Sequence, residues 1–555
     1  MDVSDFSIIR WLRDYVFILQ SEFMEVSLKP KHPVSTPVNI HGSPIPTMRE
    51  ETPVREGFGL ARRDAFQSVN GGSFDVAIIG AGISGTRIFH ELCQSGYRVL
   101  LVDRGDFACG TSQASGMMIW GGLLYLKDLD FGTVGKLSKA RDEWIERLPG
   151  KVRVADLLYL AGRKSLRNRH LVHAGMILYW LMGSLKRRFP RSGGDLSQLK
   201  FLKPGRFRNG LSFEEAMLAG SDSRFALEWV LPFIGARTEA LNHCEVEDTT
   251  FDRSAREWRI DLRDRLRGHQ ATARSRFIVN AAGVWTDSVN KTLGVESPYR
   301  HELSKGVYIT VRRPESLNQI LIFDTGDHGD TFTVCPWGPV ALCGPTETRV
   351  TDIREGFQPA PEDIRTLLRL ANENLASGHQ ADDIVSLRCG IRPLAVRRGF
   401  SRTAHPLELS RRHRIHHDRS RNVISVYGGK LTSCGVMAEQ VRSLVSPHLQ
   451  QGLVPHPAKL EVPPLEPFPG LDEPVPAAAW CRDHESCWTL DDYLRRRTNI
   501  AQWIPRGGLG RNFENVEALR RIAGVFHPDP AAAAAALADY QKSVRDRHDG
   551  ILAAV

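Results

Sequence analysis

DVAIIGAGISGTRIFHELCQSGYRVLLVD, residues 75–103, decides the fold. DVAII (75–79) is an apolar run of strand length, residues 83–95 carry helical spacing, and RVLLVD (98–103) is a second apolar run. Strand, turn, helix and strand make one βαβ unit with parallel strands. At the first junction Gly80, Gly82 and Gly85 are spaced G-x-G-x-x-G. The first glycine permits the tight turn, the second lets backbone approach a pyrophosphate, and the third lets helix and strand pack closely. The helix N-terminus then offers unpaired N–H groups and partial positive charge to phosphate. Asp103 lies 18 residues beyond Gly85 at the end of the second strand. It is placed to accept hydrogen bonds from the adenosine ribose hydroxyls, and its charge would repel a 2′-phosphate, which disfavours NADP.

Working outward, RFIVNAAG (276–283) and NVISVYGG (422–429) repeat the pattern of an apolar strand ending in small residues. Between them ILIF (320–323), TFTVCPW (331–337) and PVALCG (339–344) are short runs separated by turn residues, which predicts antiparallel strands in a second domain. Upstream, residues 8–23 carry helical spacing, and 29–60 hold six prolines and read as a linker. Order is expected from Phe74 onward. A proline-rich stretch after Pro455 leads to a helical tail containing YLRRRT (493–498) and an alanine run at 531–537.

The 555 residues are 42% hydrophobic and 25% charged, which excludes wholesale disorder and a multi-span membrane protein. The net charge of +9 favours anionic partners without choosing among them. Nine cysteines without a Cys-x-x-Cys pair read as reduced thiols in a cytoplasmic protein, with neither a disulfide framework nor a metal site. The longest apolar run, AGMILYWLMG (174–183), is far short of the ~20 residues that span a bilayer. Asp2 and Asp5 stand where a signal peptide would be basic. SRRHRIHHDRSRN (410–422) reads as a solvated basic loop. With no recognisable motif, nucleic acid is not an expected partner.

CGTSQASGMMIWGGLLYL (109–126), NAAGVWTD (280–287), GIRPL (390–394) and VYGGKLTS (426–433) resemble the FAD-dependent glycerol-3-phosphate dehydrogenases of the D-amino-acid-oxidase-like flavoprotein superfamily. The resemblance runs from about 74 to 455 and continues in YLRRRT. It implies an α/β fold: a Rossmann-like FAD-binding domain with an inserted antiparallel-sheet substrate domain and a C-terminal helical domain. The expected partition is an N-terminal helix and linker (1–73), FAD-binding segments at 74–165, 215–300 and 386–455, a cap segment at 166–214, a substrate domain at 301–385 and the helical domain at 456–555. The cofactor is expected against Gly80, Gly82, Gly85, Asp103, Thr111, Ser112, Gly121, Gly122, Ala282, Gly283, Gly428, Gly429, Leu431 and Thr432. The helix N-terminus after Gly428-Gly429 would stabilise the reduced ring at its pyrimidine edge.

The family reaction moves hydride from the carbinol carbon of glycerol 3-phosphate to flavin N5, and a quinone reoxidises the flavin. Arg392, Lys430, Lys305 and Tyr125 match family positions expected at the substrate. The family pattern K-L-I-H-G-G-L-R-Y-L reads here Met117-Met118-Ile119-Trp120-Gly121-Gly122-Leu123-Leu124-Tyr125-Leu126. Lysine, histidine and arginine have become Met117, Trp120 and Leu124. Family T-Y-R-K is replaced by Ser433, Cys434, Gly435 and Val436, and G-T-T-D by Gly344-Pro345-Thr346-Glu347. Each lost charged partner costs about 1.5–3 kcal/mol, so the pocket is expected to take a less phosphate-like or bulkier small molecule. The catalytic base cannot be named, because Trp120 accepts no proton. Two other readings stay open: an oxidase of an amine or hydroxy acid, and a flavin-binding scaffold with a degenerate pocket. The basic, apolar stretch 163–191 matches a family segment associated with peripheral membrane attachment, here the inner face of the membrane.

Overall fold

The computed structural model describes residues 58–161, 169–193, 196, 199–207, 209–235, 238–324, 331–399, 409, 411–452, 454 and 457–555. Two sheets organise the chain. In the first, Glu239–Leu241, Val99–Val102, Ser73–Ile79, Gln270–Asn280 and Val423–Tyr427 lie side by side and parallel, with Arg414–Asp418 antiparallel at the edge. Strands buried on both faces need side chains that are apolar in both directions, which is why VLLV and VISVY are continuous runs. One face packs on helices Ile83–Gln94 and Cys434–Val445, through Ile88, Phe89 and Leu92 from the first and Met437, Val441 and Val445 from the second. The first half of Gln270–Asn280 pairs instead with Glu257–Asp264, which pairs with Cys244–Asp252. This meander covers the other face with Trp258, Ile260 and Leu262.

The second sheet is the expected antiparallel one, and it includes Ile320–Asp324, Thr331–Trp337 and Val340–Gly344. Its largest pairing joins Tyr299–Arg312 to Ile384–Arg397. Val152–Leu160, from the first expected FAD-binding segment, pairs here with Gly210–Leu218 and, in parallel, with Ile320–Asp324. Helix Pro361–Asn374 covers one face through Ile364, Leu367 and Ala371. The C-terminal helices enclose a separate core built on Leu494, Ile500, Leu519 and Phe526.

Two sequence expectations are corrected. Order begins before Phe74: Phe58–Val69 is a helix whose Phe66 and Val69 are buried against the meander, while Arg62 pairs with buried Asp264 at 2.7 Å. The proline count hid it, because all six prolines precede this helix. Within 410–422, Arg414–Asp418 is an edge strand rather than a loop, with Ile415 packed on the core. The expected helix at 8–23 lies outside the described residues.

Candidate active site

The G-x-G-x-x-G turn has the form that dinucleotides require. Gly80 takes φ +103°, and a Cβ there would stand 2.7 Å from the Ala281 carbonyl oxygen and the Ala282 Cα. A Cβ on Gly85 would overlap the Gly80 carbonyl. Helix Ile83–Gln94 begins at Gly82, which offers no side-chain cap of its own, so the helix end can face a phosphate. Ser112 sits beside this end, its Oγ accepting the Ile83 N–H at 2.8 Å. Thr111 donates to the Ile391 carbonyl at 2.6 Å and ties this loop to the second sheet.

Asp103 is bound differently from the sequence expectation. Its two oxygens accept the backbone N–H groups of Ala81 at 2.6 Å and Gly105 at 2.8 Å, so it fixes the phosphate turn as well as closing the strand. Burial raises its pKa to about 6 against the pull of these two donors.

On the far side, Ala282 and Gly283 (φ +59°) form the turn after Gln270–Asn280, and a Cβ on Gly283 would point into open space. Gly428 and Gly429 take φ +65° and +111°. The Gly428 N–H donates to His301 Nε2 at 3.0 Å. His301 must therefore be neutral with its proton on Nδ1, and burial lowers its pKa to about 3. Leu431 packs on the core beneath the second sheet, and Thr432 Oγ donates to the Trp120 carbonyl at 3.1 Å. Gly121 and Gly122 complete this rim. Gly122 has φ +99°, and a Cβ on Gly121 would collide with the Tyr179 hydroxyl. The Gly121 N–H reaches Glu215, which is buried with Arg141 and Tyr179 in one hydrogen-bonded cluster. No sequence signal marked that cluster, because its members are scattered over 74 positions.

Strand alternation sorts the substrate candidates. Ser304 pairs with Arg392, Gly306 with Gly390 and Tyr308 with Arg388, so these side chains share one face. The 109–118 segment crosses that face: a Cβ on Gly116 would meet the Tyr308 hydroxyl, and one on Gly390 would stand 2.9 Å from the Ala114 Cβ. Lys305 points the other way. It forms a buried ion pair with Asp363 at 2.6 Å, beside the N-terminus of helix Pro361–Asn374. The match of Lys305 to a substrate residue is thus corrected, since a side chain one position out of phase lies on the opposite face.

Arg392 stays on the site face, where Glu347 holds it at 2.9 Å. Arg411 lies 3.2 Å from the same carboxylate, and Ser304 donates to it. Lys430 has no carboxylate partner among the described residues, and its Nζ sits 4.3 Å from the Tyr125 ring centroid. Burial, helped by the positive charge of Arg411, brings the Lys430 amine down to about 7. Met117 is fully buried at φ +64°, and the Leu124 side chain lies outside the described residues.

Glycine turns that admit a pyrophosphate, an open helix N-terminus and small-residue strand ends facing a second sheet define a flavoprotein of the two-domain oxidoreductase type. The chain belongs to the FAD dependent oxidoreductase family, whose pattern it matches over residues 75–444. FAD is its cofactor. Among individual relatives, it is 28% identical over 384 residues to an aerobic glycerol-3-phosphate dehydrogenase of Staphylococcus aureus, covering 68% of each chain. Its fold is similar to that of the glycerol-3-phosphate dehydrogenase from Bacillus halodurans complexed with FAD. That likeness has a TM-score of 0.64 at 19% identity and covers 87% of this chain and 97% of the other. It also resembles L-α-glycerophosphate oxidase from Mycoplasma pneumoniae with FAD bound, with a TM-score of 0.54 at 16% identity, covering 70% and 99%.

Proposed function

We propose that this dehydrogenase oxidises a CH–OH group of a small molecule whose main handle is not phosphate, with Lys430 as the base. FAD, when bound, would supply the hydride acceptor for this oxidation. Gly80, Gly82, Gly85 and Ser112 would hold its pyrophosphate, Asp103 its ribose, and the Lys430–Thr432 backbone its pyrimidine edge. The observation that carries the reading is the contrast between the two cations of the site. Arg392 already holds Glu347, a carboxylate it shares with Arg411, so a dianionic phosphate approaching this arginine would have to displace that carboxylate. Lys430 is half-buried, has no carboxylate partner among the described residues and titrates at about 7, which suits an amine that takes the hydroxyl proton. Trp120, where the resembling family has histidine, is consistent with the same division of labour: its indole takes no proton, it packs on the core of the second sheet and its carbonyl holds Thr432. Tyr125 confines the amine from one side.

The rate of flavin reduction should rise with pH through about 7 as Lys430 loses its proton. Lys430→Met should lower it by roughly 10²–10⁴-fold and remove the inflection. Anaerobic stopped-flow reduction of the FAD-loaded enzyme across pH 6–9 reads both; an unchanged profile in the variant rejects Lys430 as the base.

The electron acceptor of this reading is a membrane quinone, reached by peripheral attachment. Support comes from Leu171, Leu185 and Phe189, which stand 51%, 41% and 46% exposed along and just after helix Arg169–Met182.

A further inference from the structure

Three elements far apart in sequence converge on Gly121. Strand Gly210–Leu218 supplies Glu215, whose Oε2 accepts the Gly121 N–H at 3.2 Å. Helix Phe131–Arg147 supplies Ser138, which donates to the Gly121 carbonyl at 3.0 Å, and Arg141, which donates to the same Glu215 oxygen at 3.0 Å. Helix Arg169–Met182 supplies Tyr179, whose hydroxyl donates to Glu215 Oε1 at 2.5 Å and accepts from Arg141 at 2.7 Å. All four side chains are buried, and the Tyr179 hydroxyl occupies the place a Gly121 side chain would need. A buried ion pair adds little net stability over apolar side chains of the same volume, and its use is to fix geometry. Here Gly121 is gripped at both its N–H and its C=O.

Gly121 in turn connects to the proposed base on two sides. The carbonyl of the preceding Trp120 accepts the Thr432 hydroxyl, two residues beyond Lys430. On the other side Gly122 opens the short helix Leu123–Asp128, and its carbonyl accepts the Tyr125 N–H at 2.9 Å. The Tyr125 ring packs with Val134, Leu137 and the Tyr179 ring in one apolar cluster, and it lies 4.3 Å from Lys430 Nζ. Tyr179 therefore touches this chain of contacts twice, through its hydroxyl and through its ring. Arg411 is the charged group that faces the amine from the segment before strand Arg414–Asp418.

We infer that Glu215, held by Arg141 and Tyr179, is a positioning residue that fixes Gly121 and so keeps the Tyr125 ring against the Lys430 amine, with water excluded. This role deepens the reading of Lys430 as the base and rests on it. Competitive acetylation of the FAD-loaded protein with acetic anhydride across pH 6–11, read by peptide mass spectrometry, reports the Lys430 midpoint without turnover. Wild type should titrate at about 7. Glu215→Leu combined with Arg141→Met removes both charges of the pair together, and Arg187 remains on Asp142. With Gly121 released, water reaches the amine and the midpoint should rise by at least about one pH unit, tenfold in proton affinity. Glu215→Gln keeps an acceptor for the Gly121 N–H, and its midpoint should stay within about half a unit of wild type. Should the double variant lose FAD, Ser138→Ala, which frees the Gly121 carbonyl and leaves the ion pair, carries the same expectation of a rise. An unmoved midpoint in the variant that retains FAD, or an equal rise in Glu215→Gln, would overturn the proposal. A midpoint that moves supports it even where Lys430→Met leaves flavin reduction unchanged, an outcome that rejects the base alone.

Discussion

At the scale of single residues, the site is built from groups whose protonation is set by burial. Asp103 shows the consequence most directly. Its carboxyl has a pKa of about 6, so below that pH it is protonated and loses acceptor capacity toward the ribose. FAD binding therefore takes up the ionised form, and affinity should fall as pH drops through 6, by up to about tenfold per unit. Fluorescence titration of the apoprotein with FAD between pH 5 and 7.5 checks this, and Asp103→Asn should flatten the dependence and weaken binding throughout. The backbone demands of the glycine turns were legible, because their spacing reports conformations and close approaches that no other residue meets. Which face each candidate substrate residue occupies was not. Lys305 and Arg392 both matched the resembling family, yet only strand register separates their faces. The candidate base escaped because an ordinary lysine becomes one only through desolvation, which the sequence does not record. Likewise His301, which holds the Gly428 turn, stands 127 positions away from it.

At the scale of elements, apolar runs and turn residues located the strands well: Thr331–Trp337 begins and ends where its sequence run does. The misses have a common cause. Helix Phe58–Val69 and strand Arg414–Asp418 are amphipathic or polar, and tertiary contacts rather than local pattern stabilise them. Helix Arg169–Met182 carries a different lesson. The basic run after it promised attraction to anionic lipid, but Lys186 pairs with Glu146, Arg187 with Asp142 and Arg188 with Asp156 and Glu214. The proposed membrane contact should then rest on exposed apolar side chains. Cosedimentation with liposomes should show binding that varies little between neutral and anionic lipid, and Leu171→Glu with Phe189→Glu should abolish it. Binding confined to anionic vesicles would restore the charge-driven view.

At the scale of the whole molecule, the C-terminal helices are locked onto the loop that follows Asp103. Arg496 and Arg497 clamp Asp106 at 2.6 and 2.7 Å, and Arg496 also holds Asp492 and Gln113. YLRRRT was noticed as a motif, and its work is this clamp. Asp106, Asp492 and His243 converge as metal ligands can, but the two arginines and the imidazole already match the two carboxylates. Burial opposes a charged His243, yet Asp492 at 3.0 Å overcomes it and raises the pKa above the usual 6.5. The sign follows: this contribution is full below pH 6.5 and is lost as pH rises through the raised value. Thermal melts should therefore show a decline above neutral pH that His243→Gln lacks.

The whole account turns on what Arg392, already bound to Glu347, leaves for a substrate. Anaerobic titration of the FAD-loaded enzyme with glycerol 3-phosphate, set beside uncharged polyols and secondary alcohols, tests it most directly by following loss of the oxidised flavin band. The account predicts that an uncharged alcohol reduces the flavin at lower concentration than glycerol 3-phosphate does. Rapid bleaching by micromolar glycerol 3-phosphate, with the alcohols inert, would contradict it.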